Sequence, residues 1–246
     1  MQSATGIGRQ LILMLLMGLL VQNALACPPY VVTLSAGPVW ARGGSTQTLT
    51  LQPGVVKTYT ALGQMNTIAE GELFLGLQPS INPWFDGQFG VALATTGNAT
   101  FSGNIWDDAN PSFNNYNYAY NLNHKHIAVK GKLLGQLGLP CFNQPYISAS
   151  LGVGFNTSHH FTSTPTIVEA LPTPNFSSNT TTSFTYTLGI GIQGEITKNW
   201  QVGVGYEFAD WGQSQLGRAP GQTMGQGLSL SHLYTNGLML NLTYLV

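Results

Sequence analysis

Read at a period of two, the chain resolves into eight segments with an apolar face and a face of glycine, small or polar residues. The first, near Val31 to Ala41, puts Val32, Leu34, Ala36 and Trp40 opposite Thr33, Ser35 and Gly37. The second sets Ala69, Leu73, Leu75 and Leu77 against Glu70, Glu72, Phe74 and Gly76, and the third sets Phe85, Phe89, Val91 and Leu93 against Asp86, Gln88, Gly90 and Ala92. In the fourth, Ile127, Val129, Leu133 and Leu137 oppose His126, Ala128, Lys130, Lys132 and Gln136. The second half alternates more cleanly. Ile147, Ala149, Leu151, Val153 and Phe155 oppose Ser148, Ser150, Gly152 and Gly154. Phe184, Tyr186, Leu188, Ile190 and Ile192 oppose Thr185, Thr187, Gly189, Gly191, Gln193 and Glu195. Trp200, Val202, Val204, Tyr206 and Phe208 oppose Gln201, Gly203, Gly205, Glu207 and Ala209. The eighth, Asn236 to Val246, carries Leu238, Leu240, Leu242, Tyr244 and Val246 opposite Met239, Asn241, Thr243 and Leu245.

The connections alternate as regularly as the side chains. Short turns fall at Gln78 to Asn82, Gly138 to Gln144 and Thr197 to Asn199. Long connections fall at about 42–66, 95–123, 156–182 and 212–230. Short turns on one side and long loops on the other predict a sheet that crosses a bilayer repeatedly, both termini lying on the short-turn side. An even strand count lets the sheet close and removes its edges. The predicted fold is all-β: an eight-stranded antiparallel up-and-down transmembrane β-barrel spanning residues 27–246.

Composition decides which face is inside. Charged residues make up 7% of the chain, against about 25% in a soluble domain, too few to cover a water-facing surface. The apolar faces carry no Lys, Arg, Asp or Glu over the spanning length, as hydrocarbon requires. Aromatics gather near strand ends: Trp84, Phe85, Tyr146, Trp200 and Tyr244 on the short-turn side, and Trp40, Phe155, Phe184, Phe208 and Trp211 on the other. These are expected to form two interfacial girdles. A formal net charge of −1 suggests no nucleic-acid footprint.

Residues 1–26 read as an export signal: Arg9, an apolar core from Leu11 to Val21, and Ala24-Leu25-Ala26 as the cleavage site. That core, about eleven residues, is too short to span a bilayer as a helix. Cys27 and Cys141 are expected to form a disulfide tying the N-terminus across the periplasmic mouth. Lipidation of Cys27, or two free thiols, are the alternatives.

The signal segment, the eight alternating segments, the alternating loop lengths and the terminal strand NGLMLNLTYLV together resemble the small bacterial outer-membrane barrels of the OmpA, OmpX and opacity-protein type. That terminal strand resembles the family's C-terminal targeting signal, with Tyr244 as its aromatic and Val246 where the family usually ends on Phe. The resemblance implies insertion by the barrel assembly machinery into outer-membrane lipid and lipopolysaccharide.

By parity Glu70, Glu72, Lys130, Lys132 and Glu207 point into the lumen, where charges of opposite sign must pair. They read as a salt-bridge plug or as the gate of a narrow path for ions or small solutes. Gly189 to Gly194 formally matches G-x-G-x-x-G, but the turn and strand that follow exclude the helix a dinucleotide site needs. His124 and His126 share a face near the outer rim, and His159, His160 and His232 fall in or beside long connections, without carboxylate or cysteine spacing for a metal. No cofactor is expected, and without a matched nucleophile, base and acid no enzyme is expected. Tyr116, Tyr118 and Tyr120, interleaved with Asn, are expected in an exposed loop as contacts for a host-surface ligand. The expected function is structural or surface interaction, adhesin-like, with a narrow channel or a carrier of small hydrophobic ligands as alternatives.

Overall fold

Strands that alternate apolar and polar side chains can satisfy every backbone hydrogen bond in a bilayer only by closing on themselves. The computed structural model, which describes residues 28–138, 144–168, 170 and 173–246, shows that closure. The ring strands are β1 (Tyr30–Arg42), β2 (Met65–Leu77), β3 (Phe85–Thr96), β4 (Asn114–Gly135), β5 (Gln144–Pro165), β6 (Asn179–Glu195), β7 (Trp200–Asp210) and β8 (Tyr234–Leu245). Each pairs antiparallel with its sequence neighbours, and β8 returns to β1 with Val32 opposite Tyr244 and Leu34 opposite Leu242. The predicted parity holds around the ring. Leu34, Phe89, Leu151, Ile190 and Leu240 are each 58–68% exposed, whereas Thr33, Glu72, Gln88, Ser150 and Thr243 are buried. A continuous apolar belt of that exposure is unstable in water and is satisfied by lipid. Arg42 and Lys125, both exposed and outward, mark its outer rim.

The long connections are not structureless. The first folds into a hairpin, Gln47–Gln52 with Val55–Ala61. The second supplies strand Ala99–Asp107, which pairs with the hairpin on one side and with the upper half of β4 on the other. β4 and β5 run on to Asn114 and Pro165, well past the rim. From Lys125 to Asn114 is roughly 35 Å of strand, or roughly 25–30 Å of height at the usual tilt. The inner face of this extension is packed with Tyr59, Phe101, Ile105, Phe161, Phe176 and Leu233, in one core with Val39, Ile68, Ala209 and Met239 of the ring. Tyr116, Tyr118 and Tyr120 belong to it, 4–6% exposed, and so correct the expectation of an exposed binding loop. Their spacing of two, set against Asn115, Asn117 and Asn121, is a strand alternation in which tyrosine is the apolar member. Burying each such ring stabilises the cap by about 1.5–3 kcal/mol.

Two girdle assignments change as well. Trp84, Phe85, Trp200, Phe155 and Phe184 face outward. Tyr146 and Trp211 are buried, 7% and 0% exposed, and point inward. The signal segment 1–26 and both cysteines of the expected Cys27–Cys141 pair lie outside the described residues.

Candidate functional site in the lumen and its cap

An eight-stranded ring leaves an interior that side chains fill, and here they fill it in three layers. In the middle layer Lys130 reaches across from β4. Its Nζ donates to both Glu72 carboxylate oxygens at 2.7 and 2.8 Å and to Glu207 Oε2 at 3.0 Å. The three side chains are 5–12% exposed, so the cation and two carboxylates compensate one another away from bulk water. Sequence parity placed five charges here, and the structure joins three of them. Glu70 is buried but makes no ion pair within 4 Å among the described residues. Lys132 turns toward the periplasmic side, donating to Gln193 Oε1 at 2.5 Å with its ammonium 3.8 Å from the Tyr146 ring centre.

Below lies a glutamine layer. Gln193 donates to Gln144 Oε1 at 3.1 Å and to Gln201 Oε1 at 2.7 Å, Gln88 donates to Gln78 at 2.7 Å, and Gln136 donates to Asp86 at 2.7 Å. These amides are inward by the same parity that found the charges. Parity puts Gln88, Gln136, Gln193 and Gln201 on the inward face one by one, but an isolated Gln carries no signal of its partners, and only closure brings four strands' worth together. Tyr146 crosses the lumen just above, and its hydroxyl accepts from Asn241 Nδ2 at 2.7 Å. It needs the two glycines beneath it: a Cβ on Gly205 would stand 2.1 Å from its oxygen, and one on Gly191 2.5 Å from its Cζ. The space left beside Lys130, Tyr146, Gly189 and Gly205, measured as room for the centre of a water molecule, is about 40 Å³, enough for a few waters.

Above the ion pairs, the lumen meets an aromatic roof. His124 stacks on Trp211, centroids 4.6 Å apart and 4° from parallel. Its Nδ1 is 2.7 Å from Asn156 Oδ1 and its Nε2 is 2.9 Å from His126 Nδ1. Asn156 in turn donates to the carbonyls of Trp211 and Gln213, at 2.7 Å each, holding the start of the last long connection over the mouth. His159 and His160 face each other, Nδ1 to Nδ1, at 2.8 Å on the outside of the extension, and His232 lies 2.8 Å from Asp210. Among the described residues, no three His, Cys, Asp or Glu side chains converge as a metal would need. In the cap, Lys57 bonds Asp107 at 2.5 Å over the Tyr116 ring. Burial, with Asp107 nearby, pushes the Tyr59 hydroxyl above the ordinary phenol range.

The ring of eight, the outward apolar belt and the inward polar filling define a transmembrane β-barrel of the outer-membrane fold. Solved structures of outer-membrane proteins are similar to it. The outer-membrane protease OmpT from Escherichia coli superposes with a TM-score of 0.50 at 10% identity, covering 91% of this chain and 99% of that one. Neisserial surface protein A gives 0.45 at 13% identity, covering 87% and 96%. The attachment invasion locus protein Ail of Yersinia pestis gives 0.34 at 13%, covering 88% and 99%. No protein-family model and no curated protein matches the chain.

Proposed function

We propose that this barrel is a surface-interaction protein, adhesin-like, whose transmembrane part is a closed anchor and whose extracellular sheet is the working part. The observation that carries the reading is the division of labour along β4 and β5. Below the rim they wall a lumen filled by the Lys130–Glu72–Glu207 cluster, and above it they hold up a sheet whose apolar inner face continues the core of the upper lumen. Interaction surfaces are commonly presented this way, on rigid elements that pay little entropy on contact. The outward face of that sheet suits contact. Thr48, Thr100, Asn117, Thr162 and Thr164 are exposed on it, with Asn104 and Trp106 half-buried between them. A conducting barrel is the alternative, supported by the water-sized space beside Lys130. The two readings part in two assays on the full chain. Expression on a non-adherent host cell should raise its attachment to cultured cells, while refolded protein in a planar bilayer should show no stable single-channel steps. Steady conductance without any gain in attachment would overturn the surface reading in favour of the channel.

A further inference from the structure

The alternation along the upper part of β5 breaks at one place, and two histidines sit there. Up to His159 the strand pairs with β4 in one register, Leu122 opposite Ser158 and Asn121 opposite His159. From Thr162, which faces Ala119, it runs one residue longer than its partner. His160 and Phe161 therefore both answer Tyr120, which makes a β-bulge. Phe161 points into the core, 4% exposed, and His160 takes up the extra residue with a left-handed backbone, φ 53°. That conformation is strained for a residue with a Cβ, and such strain gathers where it positions a functional group. In a regular strand consecutive side chains take opposite faces. Here both imidazoles stay on the outside of the extension, His159 half-buried and His160 exposed.

The bulge brings two nitrogens together. The rings meet edge to face, centroids 4.6 Å apart and planes at 73°, with Nδ1 2.8 Å from Nδ1. His159 Nε2 lies 3.3 Å from Asn98 Oδ1, and Asn123 Nδ2 stands 3.4 Å from each of those two atoms. The shorter contact is to an oxygen that only accepts, so His159 carries its proton on Nε2 and presents Nδ1 bare. An outer hydrogen bond of this kind is what orients a metal-binding imidazole. Burial, and then the neighbouring His160, hold His159 below the usual imidazole pKa, which keeps that nitrogen free at neutral pH. The 2.8 Å separation also selects a geometry. Two nitrogens bound at about 2.0 Å lie about 2.8 Å apart at adjacent corners of a square and about 3.3 Å apart on a tetrahedron. Square coordination by nitrogen marks Cu²⁺ or Ni²⁺, and Cu²⁺ binds the more tightly of the two. A closed metal site needs a third protein ligand, which no cluster among the described residues supplies. A surface ion that keeps water on its open corners needs only the pair.

We propose that His159 and His160 form a surface binding site for Cu²⁺, the two Nδ1 atoms holding adjacent corners of a square and water holding the others. On binding, the proton of the N–H···N bond leaves His160 Nδ1 for Nε2 of the same ring, and both Nδ1 lone pairs turn to the ion. His159 lies opposite Asn121, four residues beyond Lys125 at the rim, so the ion arrives from water and not through lipid. The site stands independently of the surface-contact reading.

The test uses the untagged barrel in phospholipid nanodiscs, titrated with Cu²⁺ at neutral pH and followed by calorimetry and electron paramagnetic resonance. One Cu²⁺ per barrel is expected, with nitrogen splitting from two imidazoles. His159→Gln and His160→Gln should each weaken binding about tenfold or more, and Zn²⁺ should bind about tenfold more weakly than Cu²⁺, or weaker still. His160→Gly adopts the bulge without strain and should lose Cu²⁺ to the same extent in a folded barrel, which separates the lost ligand from a folding defect. His232→Gln removes the remaining histidine whose side chain is exposed, 55%, and should leave binding unchanged. Lowering the pH through the imidazole range should release the ion. Binding that survives substitution of either His159 or His160, binding lost in His232→Gln, or a spectrum with fewer than two nitrogens overturns the proposal and leaves an adventitious ion only. Zn²⁺ held as tightly as Cu²⁺ overturns the square geometry on which it rests.

Discussion

Replacing Lys130 by Ala is the sharpest probe of the sealed lumen. The substitution removes one ammonium and leaves Glu72 and Glu207, 5% and 12% exposed, facing each other across the space it occupied. Breaking a buried pair by deleting one partner costs about 3–5 kcal/mol, because the remaining charge is left uncompensated. Here two carboxylates lose the same cation and repel one another, so the upper part of that range is expected. Replacing all three by apolar residues of similar length, Lys130→Met with Glu72→Met and Glu207→Met, removes every charge at once and should return stability to within about 2 kcal/mol of the parent. Equilibrium urea unfolding in phospholipid vesicles at neutral pH, followed by tryptophan fluorescence, reads both values. A loss below about 1 kcal/mol in the single variant would refute the reasoning. It would show the carboxylates already hydrated, and a hydrated mid-lumen is the starting point for conduction.

Trp211→Ala removes the plane on which His124 stacks and the anchor of the roof. It is expected to cost about 3–5 kcal/mol and to make cap residues protease-sensitive while the membrane band stays protected. Intact resistance of the cap in a limited digest would count against it. Gly205→Val drives a side chain into the Tyr146 hydroxyl and should cost about 1–3 kcal/mol. Pairing it with Tyr146→Ala should relieve part of that loss, and no relief in the double variant would show that Tyr146 is not the obstacle. The Cys27–Cys141 bond is expected in a non-reducing peptide map as one linked fragment, and recovery of both peptides with free thiols would exclude it.

Much of this protein is legible from its one-dimensional pattern, and for a plain reason. Every membrane strand must show lipid one face and lumen the other, so parity, once composition had named the lipid-facing side, assigned Leu34, Leu151 and Leu240 outward and Glu72, Lys130 and Glu207 inward. Loop length added the strand order, and scarcity of charge added the solvent. Parity fails where a residue type is ambiguous. Tyrosine serves equally as girdle, core or contact. Tyr146 and Trp211 therefore read as interfacial and proved internal, and Tyr116, Tyr118 and Tyr120 read as exposed and proved to be the cap's core.

What only the tertiary structure decided is which inward residues meet. Closure puts β4 across from β2 and β7, so Lys130 finds residues that lie 58 and 77 positions away in sequence. It also gathers glutamines from separate strands into one layer. The change of partner along β4, from β3 below the rim to Ala99–Asp107 above it, turned apparent loops into a second sheet. Sequence determines which way each side chain faces because the alternation is local. The company each one keeps inside is set by a ring, and a ring exists only once its first strand has met its last.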